Sequence, residues 1–290
     1  DAKNSNSLEK ANVMITNARF AIEAMQHPVA FQPQALPDMI NSAAPEYLPS
    51  ISADGKVFVF TRVVDRQEDL YYSIHTSSGW SDAQMIPGIN TPRFNEGGQA
   101  ISPDGKMLVF TGCGYPNGVG NCDLYISYFR NGTWTKPQNM GEVINTKGWE
   151  SQPAFSPDGN TLFFSSEREL GYGRRDIWYS ERGPNGKWKT PANLGAPINT
   201  TTNEASPFMA ADNQTLYFMS DGHPGMGGMD LFMTRRLDKD TWSEPINLGY
   251  PLNTRGDEGA LVINTAGDTA FFTSTSSNKK MTDQGLFNSD

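Results

Sequence analysis

The stretch FSPDGNTLFFSS, Phe155 to Ser166, decides the fold. Ser156 opens a turn, Pro157 holds φ near about −65°, Asp158 follows, and Gly159 takes the left-handed position that lets the hydrophobic run after it pair back as a second strand. Near-copies stand at ISADGKVFVFT from Ile51, ISPDGKMLVFT from Ile101, FMAADNQTLYFM from Phe208 and VINTAGDTAFFT from Val262. The last two depart from the pattern at Ala211-Asp212-Asn213 and Ala266-Gly267, yet Asn and Gly both tolerate the left-handed conformation.

The copies extend beyond the hairpin. A glutamate precedes each one, at Glu46, Glu96, Glu150, Glu204 and Glu258, at intervals of 50, 54, 54 and 54 residues. An aspartate with an apolar and an aromatic residue follows: Asp69-Leu70-Tyr71, Asp123-Leu124-Tyr125, Asp176-Ile177-Trp178 and Asp230-Leu231-Phe232. A tryptophan comes next, at Trp80, Trp134, Trp188 and Trp242, and each repeat closes near an Asn-Thr pair at Asn90, Asn145, Asn199 and Asn253. A period near 54 with four short alternating runs per unit predicts one four-stranded antiparallel sheet per repeat, the blade of a β-propeller. Such a sheet cannot bury both faces alone, so the blades must pack in a closed circle.

Residues 31–42, FQPQALPDMINS, match the end of the other repeats, with Phe31 where the tryptophan stands. The N-terminal segment is therefore expected to supply the outermost strand of the last blade. The expected fold is all-β: a five-bladed β-propeller of four-stranded antiparallel blades, closed by the N-terminal segment and preceded by a short helix. Residues 1–28 form the helical segment and residues 29–290 the propeller, its last blade shared by both chain ends. Asp290 aligns with Asp69, Asp123, Asp176 and Asp230, which predicts an absent or very short third strand in the last blade and a chain cut from a longer protein. The alternative is that GLFNS is itself a shortened third strand.

The helix is expected over SLEKANVMITNARFAIEAM. Leu8, Ala11, Met14 or Ile15, Ala18, Ile22 and Met25 fall on one face, Ser7 can cap its start and Pro28 lies beyond its end. That stripe is expected to bury itself against the flank of the propeller or against a helical domain outside this chain.

Composition excludes some functions. Against 23 basic residues stand 32 acidic ones, and the net charge of -9 repels phosphate backbones and anionic bilayers, so nucleic acid is not an expected partner. No apolar run approaches the roughly 20 residues of a membrane-spanning helix. The chain opens at Asp1 without a signal peptide, which predicts either a removed targeting segment or a piece of a longer protein.

In a propeller the innermost strand begins at one face, and the loop between the second and third strands returns to that face. The five glutamates and the repeated aspartates are thus expected around one mouth. A ring of carboxylates there is able to hold a cation. A residue present in every blade more simply does one structural job five times, accepting backbone N–H groups or pairing with an arginine.

The loops after the second strand vary, as a recognition surface on a rigid scaffold does. Arg62, Arg168, Tyr172, Arg174 and Arg175 are the expected partner-contacting residues. GHPGMGG around Gly225 superficially resembles a phosphate cradle but lacks the strand-to-helix context, and reads as a flexible hairpin loop. Cys113 and Cys122 flank one loop where paired strands leave and re-enter. A disulfide there implies an oxidising compartment, and two buried free thiols are the other reading. His27, His75 and His223 lie in unrelated segments, so neither a metal site nor a catalytic Ser/His/Asp set is expected, and no cofactor.

The repeated ISPDGKMLVFTG, the Asp-Leu-Tyr strand and the Trp-x-x-Pro-x-Asn-Leu-Gly-x-x-Ile-Asn-Thr closure resemble the WD40-like repeats of TolB-type periplasmic propellers. NARFAIEAMQHPVAFQPQALPDMINS leading into EYLPSISADGK is similar to a junction in OmpA-family envelope proteins of Bacteroidota, where a tetratricopeptide region precedes the propeller and carboxypeptidase-regulatory-like and OmpA-like domains follow. PorE-type lipoproteins of the type IX secretion system have this order. The resemblance implies a periplasmic, outer-membrane-associated scaffold, with the helix at residues 7–26 ending the tetratricopeptide region. It places peptidoglycan binding in a domain outside this chain.

The expected function is a non-enzymatic interaction module that docks partner proteins of an envelope or secretion complex through its mouth or rim. The alternative is a five-bladed glycan-binding or glycoside hydrolase propeller, whose two or three axial carboxylates surround a sugar. An enzyme would give different blades different acids, whereas all five repeats carry the same glutamate. A third reading, the gating propeller of an oligopeptidase, requires a hydrolase domain elsewhere.

Overall fold

The structure, a computed structural model, describes residues 2–274 and 285–289. Among them the strands form five antiparallel sheets. Four are blades, each made from one continuous stretch. Their inner strands are Glu46–Ile51, Asn95–Ile101, Glu150–Phe155 and Glu204–Met209, and their second strands are Val57–Val64, Met107–Cys113, Thr161–Ser166 and Thr215–Ser220. The third strands Gln67–Thr76, Cys122–Arg130, Asp176–Glu181 and Asp230–Arg235 carry short outer strands.

The structure thus has four continuous blades where five blades are expected, and the remaining sheet is closed by the N-terminal segment, as the sequence implies. It is a composite of Glu258–Ile263, Ala270–Ser274 and Gly285–Ser289 with Pro33–Ala35 from the other end of the chain. By motif Asp290 aligns with the start of a third strand, but the pairing of Ser274 with Gly285 and Thr273 with Leu286 puts Gly285-Leu286-Phe287 at that place. In the third blade the same register pairs Ser166 with Asp176. GLFNS is thus the third strand, displaced five residues from the motif, and it carries no aspartate at the repeated position.

The strands follow from local chemistry. Ser52 Oγ accepts from Val57 N at 2.9 Å and donates to Asp54 at 2.6 Å, while Gly55, at φ 69°, donates its N–H to Ser52 O at 2.8 Å. Ser102 and Ser156 repeat the pattern. A type I turn followed by a left-handed residue closes each hairpin, with four residues between the last bonded pair. Asn213, at φ 54°, and Gly267, at φ 77°, take the left-handed place in the two divergent copies.

Each core lies between neighbouring sheets. Val59, Leu70, Ile86 and Ile89 of the first blade meet Ile101, Leu108, Phe110 and Tyr125 of the second. Equivalent clusters fill the other interfaces, and the last joins Val262 and Phe271 of the composite sheet to Phe58 and Phe60 of the first blade, closing the circle. The second strand always contributes a fully buried phenylalanine, for example Phe60, Phe110, Phe164 and Phe218. Burying each such ring stabilises the fold by roughly 2–3 kcal/mol.

All five inner strands carry a bulge two residues beyond the glutamate. Leu48, Gly98, Gln152, Ser206 and Ala260 adopt φ of 54°, 50°, 53°, 47° and 47° there. Four of these are not glycine, and each left-handed conformation costs on the order of 1 kcal/mol, offset by the inter-blade hydrogen bonds that the bulge aims. Gly98 N donates to Thr61 Oγ1, and Ser206 N donates to Gln152 Oε1.

Helix α1 spans Ala2–Gln26, starting five residues before Ser7, which therefore lies inside it rather than capping it. Its half-buried residues are Asn17, Phe20, Ala21 and Ala24, and Asn17 Oδ1 accepts from Gly225 N at 3.3 Å. The expected stripe of Leu8, Met14, Ile15, Ile22 and Met25 is exposed, so the propeller packs against a different face of the helix. No described helix is long and apolar enough to cross a membrane.

Candidate functional site

The five glutamates are buried to 0% exposure. Each accepts from the Ser or Thr that ends the preceding repeat: Ser42 to Glu46, Thr91 to Glu96, Thr146 to Glu150, Thr200 to Glu204 and Thr254 to Glu258. A donor from the blade's own second strand or following loop completes four of them: Arg62 Nε to Glu46 at 2.8 Å, Tyr115 to Glu96 at 2.5 Å, Ser166 to Glu150 at 2.7 Å and Ser220 to Glu204 at 2.8 Å. The carboxylates therefore clasp one blade to the next. Among the described residues no group of three His, Cys, Asp or Glu side chains is arranged to hold a metal ion.

Burial pushes the Glu46, Glu96 and Glu204 carboxyls above the ordinary range. Glu258 is pushed up to about 7, chiefly by burial, with repulsion from Asp230 and Asp257 added. Its Oε2 has no hydrogen-bond partner among the described residues.

Two of the expected partner-surface arginines are internal bolts. Arg62 Nη2 donates to Ile40 O and Arg168 Nη2 to Ile144 O, both at 2.6 Å. Arg62 stacks over Tyr71 at 4.5 Å and Arg168 over Trp178 at 4.9 Å, and their side chains are only 14% and 11% exposed. His223 does the same job in the fourth blade, with Nε2 2.9 Å from Ile198 O and its ring 5.2 Å from that of Phe232. Burial lowers its pKa, which favours the neutral ring. Arg175 is half-buried, donating to Glu167 at 2.8 Å and lying 4.0 Å over Trp149.

The repeated aspartates hold the loops that precede them. Asp123 accepts from Val119 N, Gly120 N and Asn139 Nδ2, Asp176 from Tyr172 N, Gly173 N and Asn193 Nδ2, and Asp230 from Met226 N and Asn247 Nδ2. The enabling sequence is Gly-x-Gly-x-x-Asp, present at residues 118–123, 171–176 and 225–230. A Cβ on the first glycine would meet the aspartate oxygen, and one on Gly173 would lie 2.5 Å from the Thr200 and Thr202 carbonyls. This three-fold pattern is legible in the sequence, although the differing residues around it make the loops look variable and Gly225 flexible. The GHPGMGG segment is a latched loop: Met226 N donates to Asp230, Gly225 N to Asn17 Oδ1 and Gly228 N to Gly256 O.

The asparagines complete the latch. Asn145, Asn199 and Asn253 each bond both the N–H and the C=O of the residue after the aspartate. Cys113 and Cys122 are cross-strand partners joined by a disulfide, with S–S 2.05 Å, at the base of the second blade's loop.

Among the described residues the third blade's loop exposes large side chains at this mouth. Leu170 is 95% exposed and Tyr172 57%, and Arg174 is exposed beside them. At the opposite face, where the Ser-x-Asp-Gly turns lie, an axial cavity of about 180 Å³ runs inward to the five left-handed residues, and none of the five glutamates lines it.

No family profile and no curated protein matches the chain. Among solved structures it is similar to TolB from Acinetobacter baumannii, at 17% identity and TM-score 0.54, covering 87% of this chain and 55% of that one. It is also similar to the putative TolB from Agrobacterium tumefaciens, at 16% identity and TM-score 0.54, covering 81% and 72%. The α-L-arabinofuranosidase from Lactobacillus brevis aligns at 12% identity and TM-score 0.57, covering 87% and 92%. At these identities the likeness shows the fold alone: a TolB-like β-propeller, with glycosidase propellers among the same neighbours.

Proposed function

We propose that the chain is a non-enzymatic protein-interaction module in which four blades and the composite sheet act as one rigid ring and the third blade's loop docks the partner. The observation that carries this reading is the contrast within that loop. Its backbone is pinned by Asp176, while Leu170, Tyr172 and Arg174 project an apolar, an aromatic and a cationic group into solvent. Pre-ordered backbone under exposed Tyr and Arg side chains suits an interface anchor, because little conformational entropy remains to be lost on docking.

The glycosidase alternative needs two carboxylates facing each other across a sugar. In this chain the repeated acids are engaged by protein donors inside the blades. The sequence resemblance supports placing the module in the periplasm, associated with the outer membrane, with envelope or type IX secretion proteins as partners and peptidoglycan held only by a domain outside this chain.

The test is site-specific photocrosslinking from position 172 of the full-length protein in intact cells, followed by mass spectrometry. Crosslinks to envelope proteins that disappear with Arg174→Glu are expected. Release of reducing sugar from arabinan or another polysaccharide by the purified protein, with no protein crosslink, would overturn the reading.

A further inference from the structure

The axial cavity combines an apolar wall with two polar atoms that the fold leaves unused. Its wall includes Pro49, Ile101, Pro153, Pro207 and Met209, and no charged side chain lines it. At its inner end stand Gln152 and Ser206, on the inner strands of the third and fourth blades. Ser206 is 6% exposed and its Oγ has no hydrogen-bond partner among the described residues.

Gln152 is oriented by the protein. Its Oε1 accepts from Ser206 N at 3.0 Å and from Ser165 Oγ at 3.1 Å, which assigns the other end of the amide as the Nε2 donor, and no described residue accepts from it. The corresponding positions in the other sheets are Leu48, Gly98 and Ala260, which offer no polar side-chain atom. The other polar side chains on the wall, Ser50, Ser52, Gln99, Ser156 and Thr265, are hydrogen-bonded within the protein, so one corner carries the N–H of Gln152 and the hydroxyl of Ser206 side by side.

We propose that this cavity is a binding site for a small uncharged amide with an aliphatic body, of the kind an internal prolyl residue presents. The carbonyl oxygen would accept from Gln152 Nε2 and Ser206 Oγ, and the ring would lie against Pro49, Pro207 and Met209. Charge is selected against, because an ion entering a cavity with no counter-charge loses its hydration without replacement. A volume of about 180 Å³ suits a compact molecule, since cavities near 150 Å³ hold an aromatic ring. The site opens on the face opposite Tyr172 and does not depend on the docking role of that loop.

The probe is N-acetylpyrrolidine, with pyrrolidinium as the charged control, titrated into the whole chain carrying 13C-methyl methionine and read at Met209. A saturable shift with a dissociation constant in the millimolar range, about what so few heavy atoms supply, is expected for the amide and none for the cation. Ser206→Ala removes only the unpartnered hydroxyl, and Ala260 shows that alanine accepts this left-handed position. Gln152→Glu keeps the acceptor for Ser206 N and Ser165 and removes the donor. Each is expected to weaken binding roughly five-fold, the worth of one hydrogen bond, while Tyr172→Ala leaves it unchanged. A linear response at Met209, or equal affinity in all variants, means a water-filled cavity only and overturns the proposal.

Discussion

The loop after the second strand is built in two ways, and the first and third blades show them side by side. In the first blade the strands continue pairing to Val64 and Gln67, and Asp65 and Arg66 turn the chain at φ 52° and 69°. In the third blade pairing stops at Ser166 and Asp176, and the loop is shaped by Asp176 gathering amides and the Asn193 side chain. Asp69 stands at the same point of the repeat but accepts only a long 3.4 Å bond from Gln67, and burial raises its pKa. An equivalent residue in a repeat therefore need not do equivalent work. One hairpin is held by its ladder, the other by a carboxylate.

The comparison breaks most sharply at Gly173, whose counterpart in the first blade is Arg66. Gly173→Ala drives a Cβ into two carbonyl oxygens and is expected to cost about 3 kcal/mol or more, measured as a fall in the urea midpoint at unchanged slope. Next come the two aspartates. Asp176→Ala leaves two amides and an asparagine without their acceptor and should cost about 2 kcal/mol, against about 0.5 kcal/mol for Asp69→Ala. Equal losses would mean that the latch adds nothing to the ladder.

How far this was legible from the sequence depends on how local the chemistry is. The Ser-x-Asp-Gly turns were readable because Ser52, Asp54 and Gly55 satisfy one another within a few residues. The glutamates read as repeated structural groups, and the Ser or Thr donor four or five residues before each is equally local, whereas Arg62, Tyr115, Ser166 and Ser220 reach them from 16 to 19 residues away, which only the paired strands reveal. Arg62 and Arg168 read as surface residues in the sequence, yet the fold buries their side chains. The available clue was the aromatic pair in the adjacent strands, Phe60 with Tyr71 and Phe164 with Trp178, which forms a platform for a guanidinium. The bulges were invisible because Leu48, Gln152 and Ala260 are not residue types that announce a left-handed backbone. The composite sheet defeated motif alignment because its third strand lacks the aspartate used to place the others.

A smaller effect separates the continuous blades from that sheet. Glu258 has a folded pKa of about 7 against an ordinary 4.5, so between those values the folded state holds a proton that the unfolded state has released. Its contribution is present in full below about pH 4.5 and is lost as pH rises through about 7. Glu258→Gln, which keeps an acceptor for Thr254, should flatten this dependence and gain on the order of 1–2 kcal/mol at pH 8 relative to the native chain, read from unfolding curves at pH 5 and pH 8. The smallest expected change returns to the first blade. Arg66→Gly removes a left-handed penalty and should stabilise by about 0.5–1 kcal/mol, less the entropy that glycine adds to the unfolded chain.

The closing sheet also sets how the molecule responds to load. Pro33 pairs with Ser289 and Ala35 with Phe287, so the incoming end of one strand lies opposite the outgoing end of the other. Tension applied between residues 32 and 289 peels these hydrogen bonds one after another instead of shearing them together. Under traction from both ends the ring is expected to part at this seam first, at low force, while the four continuous blades stay folded.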